Sequence, residues 1–148
     1  MTEIRVPSLA DEVVGLRSWR ESDVPAQLQA FDDACFRRFS DWAPRTDAEA
    51  LAYLGEHEQA RRRGEQVELA LVEPHGDDAV LGGGSLNNID LAQGRAATGY
   101  WLTRHARGRG VATHAVRLIC RWAFDDLDVG AEAAGPRRAR FTLLCATT

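Results

Sequence analysis

The chain has 148 residues, 45% hydrophobic and 27% charged, with a formal net charge of -4. That is one domain's worth of core and too little for two, and the apolar content excludes global disorder. A sequence pI near 5.5 argues against a dedicated nucleic-acid binder.

No apolar run approaches the roughly 18–20 residues of a membrane span. The opening Met1-Thr2-Glu3-Ile4-Arg5 lacks the basic and apolar regions of a secretory signal. Three scattered cysteines, Cys35, Cys120 and Cys145, form no C-x-x-C pair. A disulfide framework and a zinc site are therefore not expected, and a reducing cytoplasm is. All 18 basic residues are arginine, which a GC-rich genome explains without any function.

Val13 to Arg20 alternates as a first strand. Ser22 or Asp23 then caps a helix with Pro25 in its first turn and Val24, Leu28 and Phe31 as its buried stripe. An irregular aromatic stretch follows from Cys35 to Pro44, including Trp42. Thr46 or Asp47 caps a second helix with Leu51 and Leu54 on its apolar side. It ends in Arg61-Arg62-Arg63 before Gly64, read as a solvated helix end matched to the dipole.

Val67 to Val72 reads as a second strand and Pro74 to Asp78 as the turn after it. Ala79 to Leu91 is a third strand, in which Gly82-Gly83-Gly84 predicts a bulge or a close backbone approach. Arg95 to Thr103 is a fourth. Two helices followed by hairpin-connected strands predict an α+β or mixed α/β domain over 1–148, with an atypical tail at 129–148.

Arg107-Gly108-Arg109-Gly110-Val111-Ala112-Thr113 stands between that strand and a strongly amphipathic helix. Val111, Ala115, Leu118, Ile119 and Trp122 share one helical face, and Arg117 and Arg121 lie opposite. A helix opening in a glycine turn presents unpaired N–H groups and the positive end of its dipole. Each N–H bond to an ionised phosphate is worth roughly 1.5–3 kcal/mol, so several could hold a pyrophosphate. Arg107 and Arg109 add charge, and the Thr113 hydroxyl lies in the first turn. The pattern predicts an anion cradle, set against an ordinary glycine turn opening a core helix. A mononucleotide P-loop needs a lysine the chain does not have, and the dinucleotide fingerprint needs a third glycine. An RNA-binding arginine–glycine tail would be longer and not wedged between strand and helix.

Arg107-Gly108-Arg109-Gly110-Val111-Ala112 resembles the [Q/R]-x-x-G-x-[G/A] signature of the GNAT N-acetyltransferase superfamily. Gly99-Tyr100-Trp101-Leu102-Thr103 looks like the end of that family's fourth strand. The segment Val13 to Val24 is similar to the opening of the ribosomal-protein N-terminal acetyltransferase branch. The resemblance covers about residues 12 to 127.

It implies a mixed, mostly antiparallel sheet flanked by helices. It also implies acetyl-CoA as co-substrate, with the pyrophosphate on the amides of Arg109 to Thr113 and the pantetheine arm beside the backbone of Trp101, Leu102 and Thr103. A backbone N–H near Leu102 would polarise the thioester carbonyl. An amine, a protein N-terminus or a small molecule, would attack directly, with neither a metal nor an acyl-enzyme. The alternative is a CoA-binding remnant or sensor without turnover.

Where many relatives carry a glutamate before the G-Y-W motif, this chain has Ala97 and Thr98. A base could be Asp90, or Asn88 could position a water; both also suit a hairpin turn. Trp42 could wall the acceptor side. His105 and His114 flank the cradle, with surface positions as the plainer reading, and Cys120 reads as a small core residue. After Asp128 the family pattern calls for a fifth strand, a helix and two more strands, and only Arg140 to Cys145 offers one. A truncated or frame-shifted member is the resulting expectation, with uncovered sheet edges that favour homo-oligomers or marginal stability.

Overall fold

The computed structural model describes residues 3–6, 8–34, 44–75 and 79–127, with the backbone of 138–143. Six strands form one sheet in chain order: β1 (Leu9–Ala10), β2 (Gly15–Arg17), β3 (Val67–Val72), β4 (Val80–Asp90), β5 (Arg95–Leu102) and β6 (Arg138–Leu143). The first five pair antiparallel, and β6 runs parallel to β5. A parallel neighbour requires a crossover. Helix α3 (Val111–Asp125) lies in that connection. Helices α1 (Val24–Phe31) and α2 (Asp47–Arg62) occupy the chain between β2 and β3.

The pleat of β3 divides the core. Val67, Leu69 and Leu71 are fully buried in one cluster with Val111, Ala115, Ile119 and Trp122, the stripe of α3. Ala70 and Val72 alternate to the other face, beside Trp19 and Ala26. The sheet is thus a wall between α3 and the α1–α2 pair.

Two helix expectations change. Asp23 stands at the N-cap of α1 but its side chain makes no cap bond. Its two oxygens instead accept from Arg17 at 2.8 and 3.0 Å, and one also accepts from the Arg20 amide. Leu51, expected in the stripe of α2, is 44% exposed, and the buried residues there are Ala50 and Ala60. Small side chains let α2 lie close, and a leucine face would have held it away. Thr46 does cap α2, accepting from the Glu49 amide at 3.1 Å. Of the three terminal arginines, Arg61 is not a solvated end: its guanidinium donates to the Ile4 carbonyl and to Glu58, tying down the N-terminal segment.

The glycines of β4 mark a close approach. Gly83 faces Trp101 in register, and a Cβ there would stand 2.3 Å from the indole nitrogen. A Cβ at Gly82 would stand 2.1 Å from the Trp101 carbonyl oxygen. The register also shifts beside these glycines, where Leu71 pairs with Gly82 but Val72 with Val80, and again between Asn87 and Asp90, where Asn88 adopts φ +50°. The expected terminal strand is present as β6, two residues earlier than Arg140 to Cys145. No helix among the described residues is long and apolar enough to cross a membrane.

Candidate active site

The end of β5 is pinned before the chain turns. The amide and hydroxyl of Thr103 both donate to the Leu81 carbonyl, at 2.8 and 3.2 Å. A short 3₁₀ turn, Arg104–Ala106, buries Ala106 and delivers the chain to Arg107. Gly108 and Gly110 then take φ +76° and +78°, a left-handed conformation that costs an L side chain roughly 1–2 kcal/mol. Gly110 is the N-cap of α3 and brings no side-chain cap. The first helical bond is His114 N–H to the Gly110 carbonyl at 3.1 Å. The amides of Val111, Ala112 and Thr113 precede it and point out of the helix end.

Above this turn there is room. A Cβ built on Gly108 meets nothing within 4 Å, and one on Gly110 meets only the His114 ring at 3.8 Å. The donors are main-chain groups. The Val111 side chain is in the core, Ala112 is half-buried, and Thr113 is exposed. Leu102 is buried, so it can offer a ligand its backbone and not its side chain. Among the described residues, the registered pairs of β5 with β6 run to Tyr100 opposite Leu143.

The two cradle arginines part company. Arg109 lies at the mouth, 43% exposed, in an ion pair with Glu73 at 3.1 Å. Arg107 turns inward and donates to Asp33 at 2.7 Å and to the Leu102 carbonyl at 3.3 Å. Its charge is engaged in joining α1 to the cradle, so Arg109 is the better placed of the two to meet a phosphate. His114 Nδ1 lies 2.7 Å from Asp11, whose carboxylate also accepts from the Val13 and Val14 amides. Burial would raise the Asp11 carboxyl, but these hydrogen bonds, led by His114, hold it below the ordinary range. His105 is exposed, 3.5 Å from the Thr103 hydroxyl. Cys120 is half-buried, with its thiol pushed up by burial.

Asn88 and Asp90 lie at the opposite end of β4. Asp90 accepts from the Gln93 amide at 3.1 Å and is paired with Arg95 across the hairpin. At about 3.3 Å per residue, Asp90 is roughly 20 Å along the strand from Gly83 and Trp101. The structure therefore does not bring these two together with the cradle. Trp42 lies outside the described residues.

A second concavity, unforeseen in the sequence, opens on the α1–α2 face. This cavity of about 190 Å³ has Trp19, Phe31, Tyr53 and Trp101 as walls and Glu68, His57, Ser85 and Asn87 as polar lining. Trp19 stacks on Trp101 at 5.9 Å, and Phe31 tilts against Trp101 at 4.9 Å. The signal for it was Glu68 itself, one carboxylate inside the apolar run Val67-Glu68-Leu69-Ala70-Leu71-Val72. Among the described residues, no cluster of side chains is suited to hold a metal ion.

The model of the acetyltransferase (GNAT) domain matches residues 14–146. The chain belongs to the GNAT acetyltransferase family. Among curated proteins, "Putative ribosomal N-acetyltransferase YdaF" of Bacillus subtilis is 34% identical over 53 residues. That match takes in 36% of this GNAT chain and only 29% of the relative. Among solved structures, RimJ of Mycobacterium smegmatis, in complex with CoA-disulfide, superposes with a TM-score of 0.69 at 20% identity. The superposition covers 84% of this chain and 63% of RimJ. The ribosomal-protein-S5-alanine acetyltransferase of Vibrio fischeri gives a TM-score of 0.68 at 18% identity, covering 83% of this chain and 70% of its own. At these identities the likeness is one of fold.

Proposed function

We propose that this GNAT domain transfers the acetyl group of acetyl-CoA to a primary amine by direct attack. The observation that carries the reading is the glycine turn between β5 and α3: helix-end amides face outward, and a Cβ at Gly108 would meet open space. RimJ with CoA-disulfide lends support, because that relative holds the same class of molecule on the same fold.

The residues fit such a co-substrate. The amides from Arg109 to Thr113 suit a pyrophosphate, with Arg109 free to swing from Glu73 toward it. Leu102 offers main-chain groups along which a pantetheine arm can run as an added strand, whereas the Thr103 amide already donates to the Leu81 carbonyl. The thioester supplies the activated acetyl group. In this reading a backbone N–H near Leu102 would stabilise negative charge on its carbonyl oxygen. The half-buried Cys120, on α3, is given no part.

Calorimetry with acetyl-CoA and a thiol-release assay over amines test this. Binding with thiol release on addition of a peptide amine is the expected result. Binding without release from any amine would favour a CoA sensor, and no binding at millimolar acetyl-CoA would overturn the reading.

A further inference from the structure

Glu68 is a carboxylate on β3 between two fully buried residues, Val67 and Leu69. Its carboxylate accepts a hydrogen bond from Gln66, and His57 Nε2 stands 3.7 Å away. The Tyr53 ring meets His57 edge-on at 4.0 Å. Only 18% of the Glu68 side chain is exposed, and that part lines the aromatic cavity. In register, Glu68 is opposite Ser85, Ser85 is opposite Gly99, and Gly99 is opposite Thr142 of β6. Adjacent strands are about 4.8 Å apart, so Glu68 stands roughly 10 Å across the sheet from Gly99. The Trp101 indole packs over Gly83, and Gly99 and Trp101 line the same cavity as Glu68.

We propose that this cavity receives the amino group of the acceptor and that Glu68 is the base that takes its proton. This rests on the acetyl transfer proposed above and adds the residue that drives it. An ammonium group entering between Trp19, Phe31 and Tyr53 meets ring faces that attract a cation and a carboxylate that completes the pairing. Glu68 accepts one N–H proton. The freed lone pair forms the C–N bond at the thioester carbonyl, the C–S bond breaks, and its electron pair leaves on sulfur. The second amine proton ends on that sulfur as a thiol. The proton on Glu68 leaves through an adjoining cavity of about 380 Å³, which shares Glu68, His57 and Trp19.

The surroundings suit a base. Burial pushes the Glu68 carboxyl up to about 7, where it is both populated as carboxylate and strong enough to accept a proton. From α2 it faces His57, held neutral by burial at about 4, and Tyr53, whose hydroxyl is pushed up by burial and by the Glu68 and Glu56 charges. Gln27 of α1 and Ser85 and Asn87 of β4 are uncharged. Across the adjoining cavity stand Glu21 and the Glu58–Arg61 pair.

The full chain saturated with acetyl-CoA is the sample, and carbon-13 NMR of the Glu68 carboxyl is the first measurement. Titration near pH 7, with a shift on adding n-butylammonium, is expected. Titration below pH 5, or indifference to n-butylammonium, overturns the proposal. In thiol release with peptides bearing alanine or serine N-termini, Glu68→Gln should lower kcat at least 100-fold and remove the acidic limb of the pH profile. Its acetyl-CoA affinity should stay within twofold. Equal turnover by wild type and variant sinks the role of Glu68 alone, whereas absent acetyl-CoA binding sinks the parent reading. If no peptide is turned over, the NMR titration decides.

Discussion

Arg107 holds Asp33 at 2.7 Å, a bond that spans 74 residues and joins the segment just after α1 to the loop that opens α3. Both side chains are largely enclosed, at 13% and 16% exposure. Removing one partner of such a pair strands the other's charge. Arg107→Ala should therefore destabilise the domain by about 2–3 kcal/mol. Asp33→Asn should cost a similar amount. Urea unfolding of the double variant should show the two changes coupled by about 1 kcal/mol or more. Simple additivity would mean that the pair does not act as a unit.

Gly110 stands where left-handed backbone and open space coincide. Gly110→Val adds roughly 1–2 kcal/mol of backbone strain and places a branched side chain over the first amides of α3. The variant should remain folded by circular dichroism and lose acetyl-CoA affinity by tenfold or more in calorimetry. Unchanged affinity would remove the cradle as the cofactor site.

What was legible in the sequence is what local pattern encodes. The apolar run of β3 and the glycine-flanked stripe of α3 begin at the residues expected, Val67 and Val111, because periodicity and turn chemistry act within a few residues. Leu9–Ala10 was missed because two residues have no period. Asp23 looked like a cap until Arg17 claimed its carboxylate, a tertiary partner that no local rule supplies. The aromatic cavity draws Trp19, Tyr53, Glu68 and Trp101 from four separate stretches, so only the tertiary packing of α2 on the sheet brings them together. Asp90 and Asn88 were singled out for their chemistry, yet their place on the strand puts them at the remote hairpin.

The close packing of β4 on Trp101 predicts opposite signs at two glycines. Gly83→Ala drives a methyl against the indole, so Trp101 must move and drag its stacking with Trp19 and Phe31. A loss of about 1–3 kcal/mol is expected, with altered tryptophan fluorescence. Gly55→Ala, inside α2 with nothing within 4 Å, should instead stabilise by about 0.5–1 kcal/mol. Urea midpoints that move in the same direction would contradict this geometry.

His57 and Glu68 should bend the pH dependence of stability in opposing directions. The Glu68 carboxyl is raised from 4.5 to about 7 in the folded protein, so the native state holds an extra proton between those values. Stability from this group falls as pH rises through that window. His57 is lowered from 6.5 to about 4, so the unfolded state holds the extra proton, and stability rises with pH from 4 to 6.5. The two slopes largely cancel between pH 4.5 and 6.5, leaving a decline from 6.5 to 7. Burial would raise the Asp23 carboxyl, but Arg17 and the Arg20 amide hold it low, and its stabilisation is lost only at still lower pH. Urea unfolding should therefore find His57→Asn losing stability steadily from pH 4.5 to 7, and Glu68→Gln gaining it from 4 to 6.5. If wild type and both variants share one slope, neither side chain is buried in the charge state assigned to it.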